Sequence, residues 1–198
     1  MPLPRSLIIG ASGLVGSALA EALGPDRWAG TFANRLSPGL TSLDLADAAR
    51  DPLPVLRVLD RVHPRIVYLA AGFVSPDACE ADPKAAEALH VHGAAALARA
   101  CAANGARLVC FSTDHVFDGE AGPYDEEAGP RPVNVFGRTK LAGEEAILRE
   151  CAGSLVIRTA AVYGPEARGD GIAYRLVAAR RAGRPVPVSS DQYTTPTY

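Results

Sequence analysis

The sequence predicts an α/β protein with a doubly wound parallel sheet. Short apolar segments of strand length alternate with longer amphipathic segments along the 198 residues. Such alternation is typical of a parallel sheet that is covered by helices on both faces. Two local signals support it: a glycine-rich loop follows the first apolar segment, and Asn104-Gly105 marks the end of the longest helical segment.

The elements are predicted in chain order from their apolar patterns. The strands cover residues 7–9, 27–32, 43–45, 65–70, 107–111, 155–158 and 185–188. The last strand is expected at a sheet edge, because its prolines cannot donate to a β-ladder. The helices cover residues 14–23, a stretch ending near 62, 84–104, 134–151 and 172–182. Residues 119–132, rich in Gly, Pro and acidic side chains, are predicted to form a loop over the carboxyl ends of the strands.

Composition narrows the class of protein. Apolar residues make up 48% of the chain and the formal net charge is −2, so nothing indicates nucleic acid or an anionic membrane as a partner. No apolar run reaches the roughly 18 residues of a membrane span, and the N-terminus does not resemble a signal peptide. The four cysteines are far apart, which predicts reduced, buried thiols and no metal site. We therefore expect a cytoplasmic protein.

The loop at residues 10–16 follows the first predicted strand and opens the first predicted helix. Its glycines permit a tight turn and a close approach of the backbone to a pyrophosphate, while the helix N-terminus offers N–H groups. The predicted cofactor contacts in this loop are Gly10, Ser12, Gly13, Leu14, Val15 and Gly16. The alternative is a glycine-rich turn without function, but its place at a strand-to-helix junction favours a Rossmann-type dinucleotide site.

The end of the second strand bears on which dinucleotide binds. Asn34 and Arg35 follow Ala33 there, and no carboxylate is present to bind the ribose hydroxyls of NAD. Arg35 is a candidate partner for a 2′-phosphate, which favours NADP and leaves NAD open. The alternative is a solvated loop arginine.

Further motifs follow along the chain. They are Ala70-Ala71-Gly72, Asp77-Ala78-Cys79-Glu80, the run from Ser112 to Gly119, Gly122-Pro123-Tyr124, the run from Asn134 to Glu144, residues 158–165 and residues 191–198. Together they resemble the dTDP-4-dehydrorhamnose reductase group of extended short-chain dehydrogenases. That group also includes the regulatory subunit of methionine adenosyltransferase.

The resemblance implies hydride transfer between a nicotinamide dinucleotide and the C4 keto group of a nucleotide-linked deoxysugar. It implies that Thr113 binds the substrate oxygen and that Lys140 holds the nicotinamide ribose. The other cofactor contacts that it implies are Asp44, Leu45, Ala70, Ala71 and Gly72, and the substrate contacts are Val74, His115, Phe117 and Asn134.

The resemblance also implies a domain organisation. Residues 1–165 match the NAD(P)-binding Rossmann domain, and residues 166–198 match the start of a substrate-binding region. Members of the group continue well beyond this point, so we expect the C-terminal substrate domain to be largely absent. A homodimer paired through the helices that flank the active site is common in the wider family and is left open here.

Phe136 departs from the family pattern. It lies one helical turn before Lys140, where the family has a tyrosine. In the family, the ammonium lowers the phenol pKa from its usual value of about 10, so that the phenol exchanges a proton near neutral pH. A phenyl ring has no such proton. The sequence therefore predicts that catalytic activity is weak or lost.

Two histidines also replace family residues. His90 stands where the family commonly has an asparagine, and His115 replaces a tyrosine that lines the substrate pocket. The favoured interpretation is that both fill space or make local hydrogen bonds. The alternative is that His115 serves as a substitute proton donor, since histidine can carry a proton near neutral pH.

These observations leave two functions open. One is a reductase of a nucleotide-linked keto-deoxysugar, with residual activity. The other is a cofactor-binding or sugar-nucleotide-binding protein that acts as a regulatory subunit, and a truncated gene product is a third interpretation. Phe136 favours binding over catalysis.

Overall fold

A computed structural model describes residues 6–34, 36–73, 75–165, 171–187 and 194–198. Its sheet contains strands β1 (Ser6–Ile9), β2 (Trp28–Phe32), β3 (Thr41–Ser42), β4 (Ile66–Leu69), β5 (Arg107–Thr113) and β6 (Leu155–Thr159). The helices are α1 (Leu14–Leu23), α2 (Leu53–Val62), α3 (Pro76–Ala81), α4 (Pro83–Glu87), α5 (Ala94–Ala103), α6 (Val135–Glu150) and α7 (Ile172–Arg181). All paired strands are parallel, which confirms the predicted Rossmann-type α/β fold.

The strand order β3-β2-β1-β4-β5-β6 reverses direction beside β1. The first strand pairs with β2 on one side and with β4 on the other, and the Ala70 N–H extends the second pairing by donating to the Ile9 carbonyl at 3.0 Å. In doubly wound sheets such a reversal opens a crevice at the carboxyl ends of the strands, where ligands bind. The fold therefore places a crevice beside residues 10 and 70.

The hydrophobic core lies against the sheet. Strand residues such as Leu7, Ile9 and Val67 are almost fully buried, and Leu59 of α2 and Leu97 of α5 pack in the same cluster. Burial of these strands on both faces explains why their sequences are continuously apolar instead of alternating.

Two predicted strands differ from the structure. The third strand is Thr41–Ser42, two residues before the predicted 43–45. The Asp44 carboxylate accepts the Ala46 N–H at 2.9 Å, and this local turn takes the chain away from the ladder. The predicted strand at 185–188 is wrong over residues 185–187, which form no strand, and residue 188 lies outside the described residues.

The long helix predicted at 84–104 is interrupted. Helix α4 passes into a π-helical segment, Ala88–Gly93, before α5 begins. A Cβ at Gly93 would collide with the Leu45 carbonyl, and a Cβ at Gly143 of α6 would collide with the His90 carbonyl. The widened turn therefore packs tightly on both sides and brings His90 into the interior. Such π-helical turns occur frequently at functional sites.

Helix α3 and the thiols complete the comparison with the sequence. Helix α3 is a short helix that the sequence analysis did not predict. The Ser75 hydroxyl caps it by accepting the Ala78 N–H. All four cysteines are buried and unpaired, as predicted. Within the described ranges, no helix is long and apolar enough to cross a membrane.

Candidate functional site

The glycine loop is held in place from two sides. Gly10 adopts φ +87°, and a Cβ there would lie 2.8 Å from the Ala71 backbone nitrogen at the end of β4. On the other side, Thr31 of β2 accepts the Ala11 N–H at its carbonyl and the Gly10 N–H at its hydroxyl. A Cβ at Gly16 would collide with the Gly10 carbonyl. Only a glycine backbone allows the loop and α1 to approach this closely.

The N-terminus of α1 directly follows the glycine loop. Gly13 is the N-cap and contributes no side-chain hydrogen bond. The first N–H groups of a helix have no intrahelical partner, and together with the helix dipole they favour an anion. Ser12, Leu14 and Val15 are partly buried around this end. The loop and the start of α1 thus have the backbone arrangement that the predicted anion site requires, and the individual cofactor contacts stay predictions.

The remaining predicted cofactor residues lie after β2, after β3 and after β4. Asn34 is exposed just after β2, while Arg35 lies outside the described residues, so its proposed contact with a 2′-phosphate stays a prediction. Asp44 is exposed, and Leu45 is buried with its carbonyl against the π-helical segment. Ala70, Ala71 and Gly72 line the end of β4 beside the loop. The structure thus brings Ala71 against Gly10 of the loop, and the cofactor contacts of the other residues stay predictions.

Lys140 and Thr113 lie at the end of β5. The Lys140 ammonium donates to the Phe111 carbonyl at 2.7 Å, and within the ranges described above its other two protons have no hydrogen-bond acceptor, which leaves them for a ligand. The Thr113 hydroxyl accepts the His115 N–H at 3.2 Å and donates to the Asp114 carboxylate at 3.2 Å. The bond to Asp114 is long, so redirecting this hydrogen bond to a ligand acceptor would cost little.

Phe136 is buried between two imidazole rings. Its side chain is 8% exposed, and its ring centroid lies 5.8 Å from that of His90 and 5.3 Å from that of His115, both edge to face. Such geometry is favourable for aromatic pairs. The ring occupies the position one turn before Lys140, and it offers no polar atom to a ligand.

His90 links α6 to the end of β4. Its Nε2 accepts the Phe73 N–H at 3.1 Å, so Nδ1 carries the proton and donates to the Thr139 hydroxyl at 2.9 Å. That hydroxyl in turn donates to the Val135 carbonyl at 2.9 Å. Burial, followed by the nearby Lys140 charge, lowers the pKa of His90 to about 4. His90 is therefore neutral at physiological pH and makes local hydrogen bonds, as the favoured interpretation predicts.

The N-terminus of α6 has two side-chain caps. Asn134 accepts the Gly137 N–H at 2.7 Å, and Glu80 of α3 accepts the Val135 N–H at 2.7 Å. The Asn134 amide also donates to His115 Nδ1 at 3.0 Å. Glu80 belongs to a motif that the sequence analysis recognised, but its capping role was missed because its partner is 55 residues away.

A buried ion pair fixes α6 to β6. The Arg158 guanidinium binds the Glu144 carboxylate through two nitrogens, at 2.7 and 3.1 Å, and the Ser112 hydroxyl donates to the same carboxylate. The Glu144 side chain is only 5% exposed. Both residues lie in recognised motifs, but no sequence signal indicated their pairing.

The loop after β5 is ordered by aromatic and charged contacts. The rings of Phe117 and Tyr124 stack with centroids 4.3 Å apart, and the Arg158 guanidinium lies 5.2 Å from the Phe117 ring centroid. The Tyr124 hydroxyl donates to Asp118 at 2.5 Å, which is the main reason that the Asp118 pKa is lowered. Phe117 is thus engaged within the loop, and Val74 lies outside the described residues.

Metal-binding groups do not assemble in the part of the chain that the structure describes. No three His, Cys, Asp or Glu side chains there come close enough together to hold a metal ion.

Comparisons with known proteins agree with this arrangement. The family model described as the RmlD substrate binding domain matches residues 5–198. Methionine adenosyltransferase 2 subunit beta of Xenopus tropicalis is 36% identical over 166 residues, which are 83% of this chain and 48% of that protein. The dTDP-4-dehydrorhamnose reductase of Salmonella typhimurium is 31% identical over 192 residues, which are 96% of this chain and 62% of that enzyme. The chain thus spans about half to three-fifths of the length of these relatives.

Solved structures show the same similarity. The dTDP-4-dehydrorhamnose reductase of Bacillus anthracis in complex with NADP superimposes with a TM-score of 0.79 at 28% identity, covering 91% of this chain and 60% of that one. MoeE5 in complex with UDP-glucose and NAD superimposes with a TM-score of 0.76 at 27% identity, covering 94% and 64%.

Proposed function

Because the chain belongs to the RmlD substrate binding domain family, we propose that it binds a nicotinamide dinucleotide and a nucleotide-linked sugar with little or no turnover. One observation carries the proposal. Phe136 is fixed between His90 and His115 at the position one turn before Lys140, while the glycine loop keeps the geometry of a dinucleotide site.

The cofactor half of the proposal is supported by the crevice. A positive-φ glycine at residue 10, the uncapped N-terminus of α1 and the available Lys140 protons suit a pyrophosphate and a ribose. The dinucleotide would supply or accept the hydride, and the chain's own residues would hold it. We favour NADP, with NAD as the alternative, because no carboxylate follows β2.

The ligand half of the proposal is supported by the relatives. One is an enzyme named for a dTDP-linked deoxysugar, and MoeE5 was crystallised with UDP-glucose. We assign residues 1–165 to the cofactor domain and residues 166–198 to the start of a substrate region. A role in deoxysugar metabolism in the cytoplasm, with pairing of two copies through the site-flanking helices, completes the proposal.

The chemistry explains why turnover would be weak. Reduction of a keto group creates an alkoxide that needs a proton from a positioned donor. Phe136 supplies none, and loss of a general acid typically lowers the rate about 10²–10⁴-fold. Lys140 and Thr113 can still hold ligands, so binding does not depend on the missing hydroxyl.

A second candidate function is that of a regulatory or assembly subunit. The sequence is 36% identical to a protein named as a subunit of methionine adenosyltransferase, over 83% of the chain. Binding without turnover suits such a role, because a subunit can use a bound ligand to change its affinity for a partner.

The test combines binding and turnover on the same protein. Calorimetry with NADPH and NADH is expected to show binding, with NADPH preferred. Turnover of dTDP-4-dehydrorhamnose is expected to be at background in the unmodified chain and at least about 100-fold higher in Phe136→Tyr. Phe136→Leu, which adds no hydroxyl, is the matched control and should stay at background.

Two outcomes would contradict the proposal. Robust turnover by the unmodified chain, unchanged in Phe136→Tyr, would show that residue 136 does not limit catalysis. Absence of binding of either dinucleotide would remove the cofactor function.

A further inference from the structure

We infer that Asn134 fixes His115 in one neutral tautomer, so that His115 presents its Nε2–H to an oxygen atom of a bound sugar. The inference that the acceptor belongs to a sugar rests on the proposed function. The tautomer itself does not, because it follows from contacts within the chain. The inference makes Asn134 a positioning residue and His115 a ligand-binding residue.

The orientation of the Asn134 amide is set by the helix. The Gly137 N–H can only donate, and it points to Asn134 Oδ1 at 2.7 Å, which is the normal N-cap bond of α6. The other end of the amide is therefore the NH₂ group. This group faces His115 Nδ1 at 3.0 Å. The atom that receives the NH₂ proton must carry a free lone pair, so Nδ1 of His115 is unprotonated.

A neutral imidazole without a proton on Nδ1 carries it on Nε2. Within the described residues, no protein group pairs with His115 Nε2, and the side chain is exposed. A Cβ at Gly137 would collide with the His115 carbonyl, and the Phe136 ring lies against the imidazole. Backbone and ring are thus both held, and the Nε2–H remains as a donor for a ligand.

The same contacts argue against His115 as a substitute proton donor. A second proton, on Nδ1, would face the Asn134 NH₂ group, donor against donor. Turning the amide over would place its NH₂ group against the Gly137 N–H and cost the helix its cap. His115 is therefore suited to stabilise an oxygen acceptor through a hydrogen bond from Nε2–H.

The first test measures the tautomer without any ligand. At alkaline pH, where free imidazole is neutral, ¹⁵N chemical shifts should identify the His115 Nε2–H form. Asn134→Asp keeps a capping oxygen for Gly137 but turns a second oxygen towards Nδ1, so the proton should move to Nδ1. Asn134→Ser keeps the cap without a partner for the ring and should give a mixture of tautomers. The signals of His92, which is more than half exposed, should not change.

A proton on Nδ1 in the unmodified chain would overturn the inference, as would an unchanged tautomer in both variants. Because these spectra need no ligand, the conclusion about the tautomer remains valid even if the proposed function is wrong.

The second test measures the donor role with UDP-glucose as the probe. In His115→Gln the amide nitrogen can reach the former Nε2 position, whereas in His115→Asn the polar atoms end near the former Nδ1. We expect His115→Asn to weaken UDP-glucose binding about 3- to 10-fold and His115→Gln to retain most of the affinity. Equal affinity of the two variants, with the unmodified chain binding, would overturn the donor role. Absence of UDP-glucose binding to the unmodified chain would instead contradict the proposed function and leave the tautomer result intact.

Discussion

The two ends of the crevice are built in different ways. At the α1 end, the site consists of backbone, with Gly10 and Gly16 packed so closely that a Cβ would collide. At the α6 end, the site consists of side chains, with Phe136 packed between the rings of His90 and His115. A backbone site changes only if the fold changes, whereas a proton donor disappears with one oxygen atom. Under the proposed function, this difference would explain how a chain keeps its cofactor geometry without a positioned acid.

The α6 end is nevertheless as firmly built as the α1 end. His90 hydrogen-bonds to Thr139 of α6 and to the Phe73 N–H after β4, and His115 accepts a hydrogen bond from Asn134. Both imidazole rings pack edge to face against Phe136, and no buried polar side-chain atom of the described residues lacks a partner. If it were merely decayed, unsatisfied groups or loose packing would be expected there. The predictions below test how rigid each end is, from the largest expected effect to the smallest.

The largest effect is expected at the α6 end from Arg158→Met. The substitution leaves the buried Glu144 carboxylate without its cation, and breaking a buried pair in this way costs about 3–5 kcal/mol. Arg99→Met is the control, because its pair with Glu150 involves a side chain that is 54% exposed, and it should cost less than about 1 kcal/mol. Urea unfolding measures both. A similar, small loss for the two variants would mean that α6 is not anchored through this pair.

The next largest effect is a loss of stability at low pH. Because the folded pKa of His90 is about 4 and the ordinary value is 6.5, the unfolded chain binds more protons between these pH values. The free energy of unfolding should therefore fall as pH decreases from 6.5 to 4, by about 3 kcal/mol from this residue. In His90→Asn that part of the decrease should vanish. In His92→Asn, which changes a side chain that is 56% exposed, it should remain. Equal pH profiles for all three proteins would contradict the burial of a neutral His90.

A comparable effect is expected at the α1 end from Gly16→Val. The new side chain would push α1 away from the Gly10 carbonyl and distort the anion site. We expect NADPH affinity to fall at least about 100-fold, which corresponds to about 2.7 kcal/mol. Gly129→Val serves as the control, since a Cβ at Gly129 meets no atom within 4 Å. Calorimetry that gives equal affinities for the two variants would show that the dinucleotide does not use this loop.

The smallest effect is expected from Glu80→Ala, again at the α6 end. It removes the carboxylate that accepts the Val135 N–H at 2.7 Å, so we expect a loss of about 1 kcal/mol in the free energy of unfolding. Glu87→Ala is matched to it, because the Glu87 side chain is 56% exposed and only faces His92 at 3.7 Å. A larger loss in Glu87→Ala than in Glu80→Ala would indicate that α3 does not hold α6.

Local sequence signals predicted most of the fold. Helix α1 was predicted with its observed bounds, 14–23, directly after the glycine loop. The relation of Phe136 to Lys140 was also predicted, since four residues make about one helical turn. These features depend on neighbours in the chain, and the sequence shows such neighbours directly.

Contacts between distant residues could not be predicted in the same way. His90 binds Phe73 and Thr139, which are 17 and 49 residues away, and Val135 binds Glu80 across 55 residues. The π-helical segment depends on close packing of Gly93 against Leu45, which no helical pattern reveals. The short β3 strand was misplaced because Leu43 and Leu45 are buried, although the assigned strand ends at Ser42 and only the Leu43 N–H still donates to the Phe32 carbonyl of β2.

The bond between Lys140 and the Phe111 carbonyl has a thermodynamic consequence for binding. Ordering a free lysine side chain costs about 1.5–2 kcal/mol of conformational entropy. In this chain the ammonium is already tethered at 2.7 Å before any ligand arrives, so much of that cost belongs to folding. A ribose that replaces or shares this bond would meet a preorganised cation, and its binding would show a smaller entropic penalty than a mobile lysine imposes.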